Sequence, residues 1–159
     1  MFKKLLKPRS LCVSAVIAAL YAALTLLLAP ISYSGVQCRL SEAMTLLPMV
    51  LPQAIPGLFV GCLIANLYTG MLTDIIFGSL ATLIAAIGTY LLRKKPILAA
   101  TCPVVANSLI VGTVLSLSFG WPIAITMLQV ALGEVGAVLV GFVLVRTIQK
   151  AKIDLTRLG

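Results

Sequence analysis

Long apolar runs, separated by short clusters of proline, glycine or charge, set the pattern of this chain, at about residues 11–30, 38–51, 54–68, 74–92, 97–118 and 122–145. A helix rising 1.5 Å per residue needs about 20 such residues to cross a hydrocarbon core roughly 30 Å thick. The pattern therefore predicts an all-α integral membrane bundle of six transmembrane helices, forming a single domain over residues 1–159. The two runs between residues 36 and 68 are short, and Pro48, Pro52 and Pro56 interrupt them. Each proline removes a backbone donor, so a broken or tilted pair is expected there. The first run follows the basic stretch Met1-Phe-Lys-Lys-Leu-Leu-Lys-Pro-Arg9 and superficially resembles a secretory signal. Its length, and the membrane-like sequence after it, favour a retained span instead.

Charge orients the bundle. Lys and Arg in short loops favour the cytoplasmic side, so basic clusters should be separated by an even number of crossings. Lys3, Lys4, Lys7 and Arg9 form one cluster, Arg93, Lys94 and Lys95 a second, and Arg146, Lys150, Lys152 and Arg157 a third. Four spans before the middle cluster and two after it place all three inside, leaving Arg39 as the lone outer base. Both termini are then cytoplasmic, and the net charge of +8 reflects topology and attraction to anionic lipid. No basic stripe with interleaved aromatics occurs, so no nucleic acid is expected as a partner.

Composition narrows the chemistry. The chain is 61% apolar and 10% charged, has no histidine, and has a mean hydropathy of +1.16. Six spans would use about 120 residues and leave little for a soluble domain. Cys12, Cys38, Cys62 and Cys102 form no CxxC pair, so no metal site and no cofactor is expected and the cysteines should pack as small apolar residues. The sequence has no GxxxxGK[ST] loop, so hydrolysis of ATP by the P-loop route is not expected and any energy for transport must come from elsewhere. No nucleophile and base stand together, and no enzyme is expected.

Helices in lipid associate through small residues that let backbones approach. The first span carries Ala15, Ala19 and Ala23 in one row with Ala18 and Ala22 beside it. The third carries Gly57, Gly61 and Ala65, and the fourth Gly78, Thr82 and Ala85. Such rows serve internal packing, and the breadth of the alanine face on the first span also suits a partner membrane protein.

Polar side chains within the membrane are costly, so each needs a partner or a use. Arg39, Glu42, Asn66 and Asp74 fall in the outer half of the bundle. Asn107 and Glu134 lie deeper, with Gln129 about one and a half turns outward of Glu134. Together they describe a pocket opening outward and closed toward the cytoplasm. Arg39 and Glu42, three apart, would neutralise each other or face a ligand. Asp74 suits a helix first turn, with Thr73 as its candidate cap. Glu134 is flanked by Gly133 and Gly136, which leave room beside a carboxylate able to accept a donor pair such as an amidine or a guanine edge. Asn107, on the same account, reads another edge of that heterocycle or bonds between helices. Tyr33, Tyr68, Phe119 and Trp121 suit an interfacial belt, with Trp121, set between Gly120 and Pro122, the candidate to stack on a flat ligand.

Several stretches taken together resemble the QueT group of energy-coupling-factor transporter substrate-binding subunits. They are Ala18-Ala-Leu-Tyr-Ala-Ala-Leu-Thr25, Cys38-Arg-Leu-Ser-Glu-Ala-Met44, Ala54-Ile-Pro-Gly-Leu-Phe-Val-Gly-Cys-Leu-Ile-Ala-Asn66, Asp74-Ile-Ile-Phe-Gly-Ser-Leu-Ala-Thr82, Ala106-Asn-Ser-Leu-Ile-Val-Gly112 and Gly133-Glu134. The resemblance implies a plasma-membrane subunit that captures a queuosine precursor, a 7-deazaguanine base or queuine, from outside. It also implies a transmembrane coupling subunit and two ABC ATPase subunits as partners. Ala15, Ala18, Ala19, Ala22 and Ala23 would then meet the coupling subunit. The guanine-like edge would suit Glu134 and Asn107, and an amine substituent would suit Glu42 or Asp74. Competing readings are capture of another vitamin-like solute, a stand-alone ion-coupled carrier or channel, and an assembly subunit with no ligand.

Overall fold

Prolines, where a helix can accept them, mark two starts in the computed structural model, which describes residues 7–32, 39–68 and 70–151. Pro8 opens α1 (Pro8–Leu27) and Pro96 opens α5 (Pro96–Phe119), both in a first turn whose N–H groups have no intrahelical acceptor anyway. Between them lie the single turn α2 (Ala29–Ser32), a 3₁₀ segment (Leu40–Met49), α3 (Ala54–Leu67) and α4 (Asp74–Leu91). The last helix is α6 (Ile123–Lys150). Every regular element among the described residues is helical.

Among the described residues four helices, α1, α4, α5 and α6, are long and apolar enough to cross a membrane, and the chain is a multi-pass membrane protein. Their outward faces carry large apolar side chains such as Leu20, Ile84, Leu109, Leu132 and Leu139. Two of the six expected spans differ from straight crossings. At 14 residues α3 covers about 21 Å, and the ten-residue 3₁₀ segment covers about 20 Å. Each falls short of a full hydrocarbon thickness, in line with the broken pair that the prolines predict.

The 3₁₀ segment is the axle of the bundle. It touches α1, α3, α4, α5 and α6, and nearly all of its side chains are buried. Pro48 within it has no N–H to give and disfavours α geometry in Leu47, so the tighter winding costs little here. One end is tied to α1 by Thr25 Oγ1 and Ser41 Oγ, 2.6 Å apart. Just past the other, Ser14 Oγ donates to the Gln53 carbonyl at 2.8 Å. On the far side, a side chain at Gly141 of α6 would collide with the Ala43 carbonyl, so glycine is what lets the two backbones meet.

The small-residue row of α3 packs as expected. A Cβ on Gly57 would lie 2.6 Å from the Ser14 carbonyl oxygen, and one on Gly61 would lie 2.7 Å from that of Ala18. This contact splits the alanine face of α1. Ala18 and Ala22 are buried inside the bundle, whereas Ala15, Ala19 and Ala23 face outward. Of the five alanines expected to meet a partner, Ala18 and Ala22 are therefore buried within the bundle and only Ala15, Ala19 and Ala23 are left on its surface.

Candidate functional site

Hydroxyl-bearing residues at positions 10, 14, 21 and 25 of α1 fall on one helix face and turn inward, as polar groups in a lipid-embedded helix must. Ser79, Thr82 and Thr89 do the same on α4. These two stripes flank the 3₁₀ segment and receive its acid. Tyr21 donates its hydroxyl to Glu42 Oε1 in a short hydrogen bond, and Thr82 donates to the same oxygen at 3.1 Å. The other oxygen, Oε2, is buried without a hydrogen-bond partner.

Glu134 comes from near the middle of α6 and Asn107 from near the middle of α5, both buried. Asn107 Nδ2 donates to Glu134 Oε1 at 2.6 Å. The interhelical bond and the ligand-facing role weighed for Asn107 therefore meet in one residue, because its Oδ1 and the Oε2 of Glu134 are both buried with no partner. Glu42, Asn107 and Glu134 line one cavity together with Arg39, Val111 and Val130. Three acceptor oxygens from three elements, each without a hydrogen-bond partner, thus face one space whose lining includes the guanidinium of Arg39, itself bonded to Asp74. That arrangement is rare in a folded interior, where unpartnered polar atoms each cost about 1–3 kcal/mol.

The cavity volume is about 10 Å³, enough for one water and far below the roughly 300–1,000 Å³ of small-molecule pockets. The open pocket expected from the sequence is therefore closed in this conformation. Larger apolar grooves of about 390 and 450 Å³ run between α4 and α5 on the lipid-facing side, lined by residues such as Phe77, Ile84, Leu109 and Val114. They carry none of the buried acids.

The remaining polar residues form a second cluster. Arg39 Nη2 donates to Asp74 Oδ2 at 2.9 Å, both residues being buried, so the ion pair of Arg39 is with Asp74, although Arg39 and Glu42 line the same cavity. Asn66 donates to the Asp74 carbonyl at 3.0 Å and to Cys62 Sγ at 3.4 Å, tying the end of α3 to the start of α4. The first turn of α4 is a π-helix over Asp74–Gly78, and a Cβ on Gly78 would sit 2.9 Å from Asn66 Nδ2. Thr73 is already helical and makes no capping bond, which corrects its expected role.

Other residues stand apart from the cavity. Trp121 is 43% exposed and stacks on Phe119 with ring centroids 5.0 Å apart, so it is not placed to stack on a ligand in this conformation. Its backbone is fixed by Gly120 at φ 69° and by Ser116, which donates to the Trp121 carbonyl at 2.6 Å. Gln129 is half-buried and does not line the cavity. Gly136 faces open space rather than Glu134. Of the cysteines, Cys62 is buried, Cys102 half-buried and Cys12 exposed. Tyr33 and Cys38 lie outside the described residues. Tyr21 and Thr82, the partners of Glu42, were missed by sequence reasoning; the inward hydroxyl stripes of α1 and α4 are the signal that finds them.

A protein-family model described as QueT transporter matches residues 11–150. No curated protein matches the chain, and no solved structure does.

Proposed function

The chain belongs to the QueT transporter family, and from that premise we propose that it is the substrate-binding membrane subunit of an energy-coupling-factor importer. In this reading it takes up a queuosine precursor of the 7-deazaguanine type from outside and is a transporter component rather than an enzyme. The observation that carries it is the ring of unpartnered acceptors, Glu42 Oε2, Asn107 Oδ1 and Glu134 Oε2. A guanine-like edge offers adjacent N–H donors, and each bond to an ionised carboxylate contributes about 1.5–3 kcal/mol.

Energy comes from partners, a transmembrane coupling subunit and two ATPases, because the sequence has no phosphate-binding loop. Ala15, Ala19 and Ala23 form the docking face, a small-residue strip turned to lipid on α1. The domain spans residues 1–159 with six crossings and cytoplasmic termini, the 3₁₀ segment and α3 forming the broken pair that returns the chain to the outer side. Access is from the outer end, with Arg39 and Asp74 above the cavity.

A thermal-shift panel of purines, 7-deazapurines and vitamins on the purified chain, without ATP, tests this. A 7-deazaguanine at 100 times its dissociation constant is expected to add about 2.7 kcal/mol of stability. Stabilisation by a different vitamin alone, by nothing in the panel, or solute flux through liposomes holding only this chain, would each overturn it.

A further inference from the structure

The two acids of the cavity are presented differently, and the difference assigns them different parts of a ligand. Glu134 is fastened to Asn107, so Glu134 Oε2 and Asn107 Oδ1 form a pair of acceptors. Such a pair matches two neighbouring N–H donors on one flat edge. Glu42 instead has Oε1 held by Tyr21 and Thr82, which leaves Oε2 as a single acceptor on an anchored carboxylate. A lone, fixed carboxylate oxygen matches an ammonium group, a compact charge with rotatable donors.

Charge points the same way. The groups around the cavity and its outer end are Arg39, Glu42, Asp74 and Glu134, three acids against one base. The guanidinium lines the cavity beside Glu42 but is also bonded to Asp74, so one base stands against all three acids. A neutral ligand satisfied by Glu134 and Asn107 would leave these buried acids short of positive charge, a costly arrangement in a low-dielectric interior. A ligand carrying a protonated alkylamine supplies that charge.

We propose, resting on the reading above, that Glu42 is the specificity-determining residue which selects amine-bearing, cationic 7-deazaguanines over neutral ones, while Glu134 and Asn107 hold the base common to both. Tyr21 and Thr82 are positioning residues that aim the Glu42 carboxylate.

A matched pair of ligands tests it: 7-aminomethyl-7-deazaguanine and 7-cyano-7-deazaguanine, titrated calorimetrically into the full purified chain. The wild-type protein is expected to bind the amine at least tenfold more tightly than the nitrile. Glu42→Gln should lower affinity for the amine tenfold or more and bring the ratio close to one. Glu134→Gln should weaken both ligands by similar factors and keep the ratio. Tyr21→Phe, which leaves the acid in place, should cost the amine about threefold more than the nitrile. Equal binding of both ligands by the wild-type chain would overturn the assignment of Glu42 and leave the proposed function standing, and so would a ratio that survives Glu42→Gln or collapses in Glu134→Gln. Failure of both ligands to bind the wild-type chain would overturn the proposed function itself, and this inference with it.

Discussion

Two buried acid clusters lie close together in this bundle, and they are built on opposite principles. At the outer end, Asp74 has a guanidinium at 2.9 Å, and the backbone around it is clasped by Asn66. Although Asp74 Oδ1 lacks a hydrogen-bond partner, the charge is balanced within the protein. Midway down α5 and α6, Glu42 and Glu134 share a cavity in which hydroxyl and amide donors reach one oxygen of each, and the one guanidinium in its lining, Arg39, is bonded to Asp74. The first cluster is balanced within the protein; the second leaves Glu42 Oε2, Asn107 Oδ1 and Glu134 Oε2 without partners. Depth and residue type alone do not separate them, but the accounting of partners does.

The sharpest way to break the comparison is to remove one member of the ion pair. Arg39→Met or Asp74→Leu alone strands a buried charge and is expected to lower unfolding stability by about 3–5 kcal/mol, read by chemical denaturation in detergent. The double substitution should recover most of that loss, since two apolar side chains replace a pair that gains little net energy from its burial. If Glu134→Gln proved as destabilising as either single change, the two clusters would not differ in kind.

A smaller effect is expected where backbones touch. Gly61→Ala drives a methyl against the Ala18 carbonyl and should cost about 1–3 kcal/mol, visible as a lower melting temperature, with the acids of the cavity untouched. On the outer face of the same helix pair, Ala19→Leu should leave monomer stability within about 0.5 kcal/mol. It should reduce co-purification with the coupling subunit, whereas normal assembly would remove the docking role of that strip. The least effect belongs to Trp121→Ala, which removes a stacked pair worth about 0.5–1.5 kcal/mol and should leave ligand affinity within twofold. A tenfold loss there would move the binding site toward the outer end.

Much of the architecture was legible because lipid imposes simple rules. Four helices follow from apolar length, and Gly57, Gly61 and Ala65 mark a close contact because only small residues allow one. Glu134 and Asn107 were singled out because a carboxylate and an amide deep in apolar runs demand an explanation. What escaped the sequence was partnership. Arg39 and Glu42 are three residues apart, yet the guanidinium pairs with Asp74 while the carboxylate is held by Tyr21 and Thr82, because Arg39 precedes the 3₁₀ segment in extended backbone. Trp121 stood in a well-defined turn, but the turn fixes its backbone and not the side on which its ring lies. The alanines of α1 could be grouped by spacing, while their division between α3 and the lipid depends on how the helix is rotated.

The most direct test of the donor-starved cavity is the affinity and stability of Glu134→Gln measured on one preparation. The account predicts that binding of a 7-deazaguanine weakens tenfold or more while the ligand-free protein unfolds at the wild-type temperature or above it. Unchanged binding, or a loss of binding that only accompanies a loss of folded protein, would contradict it.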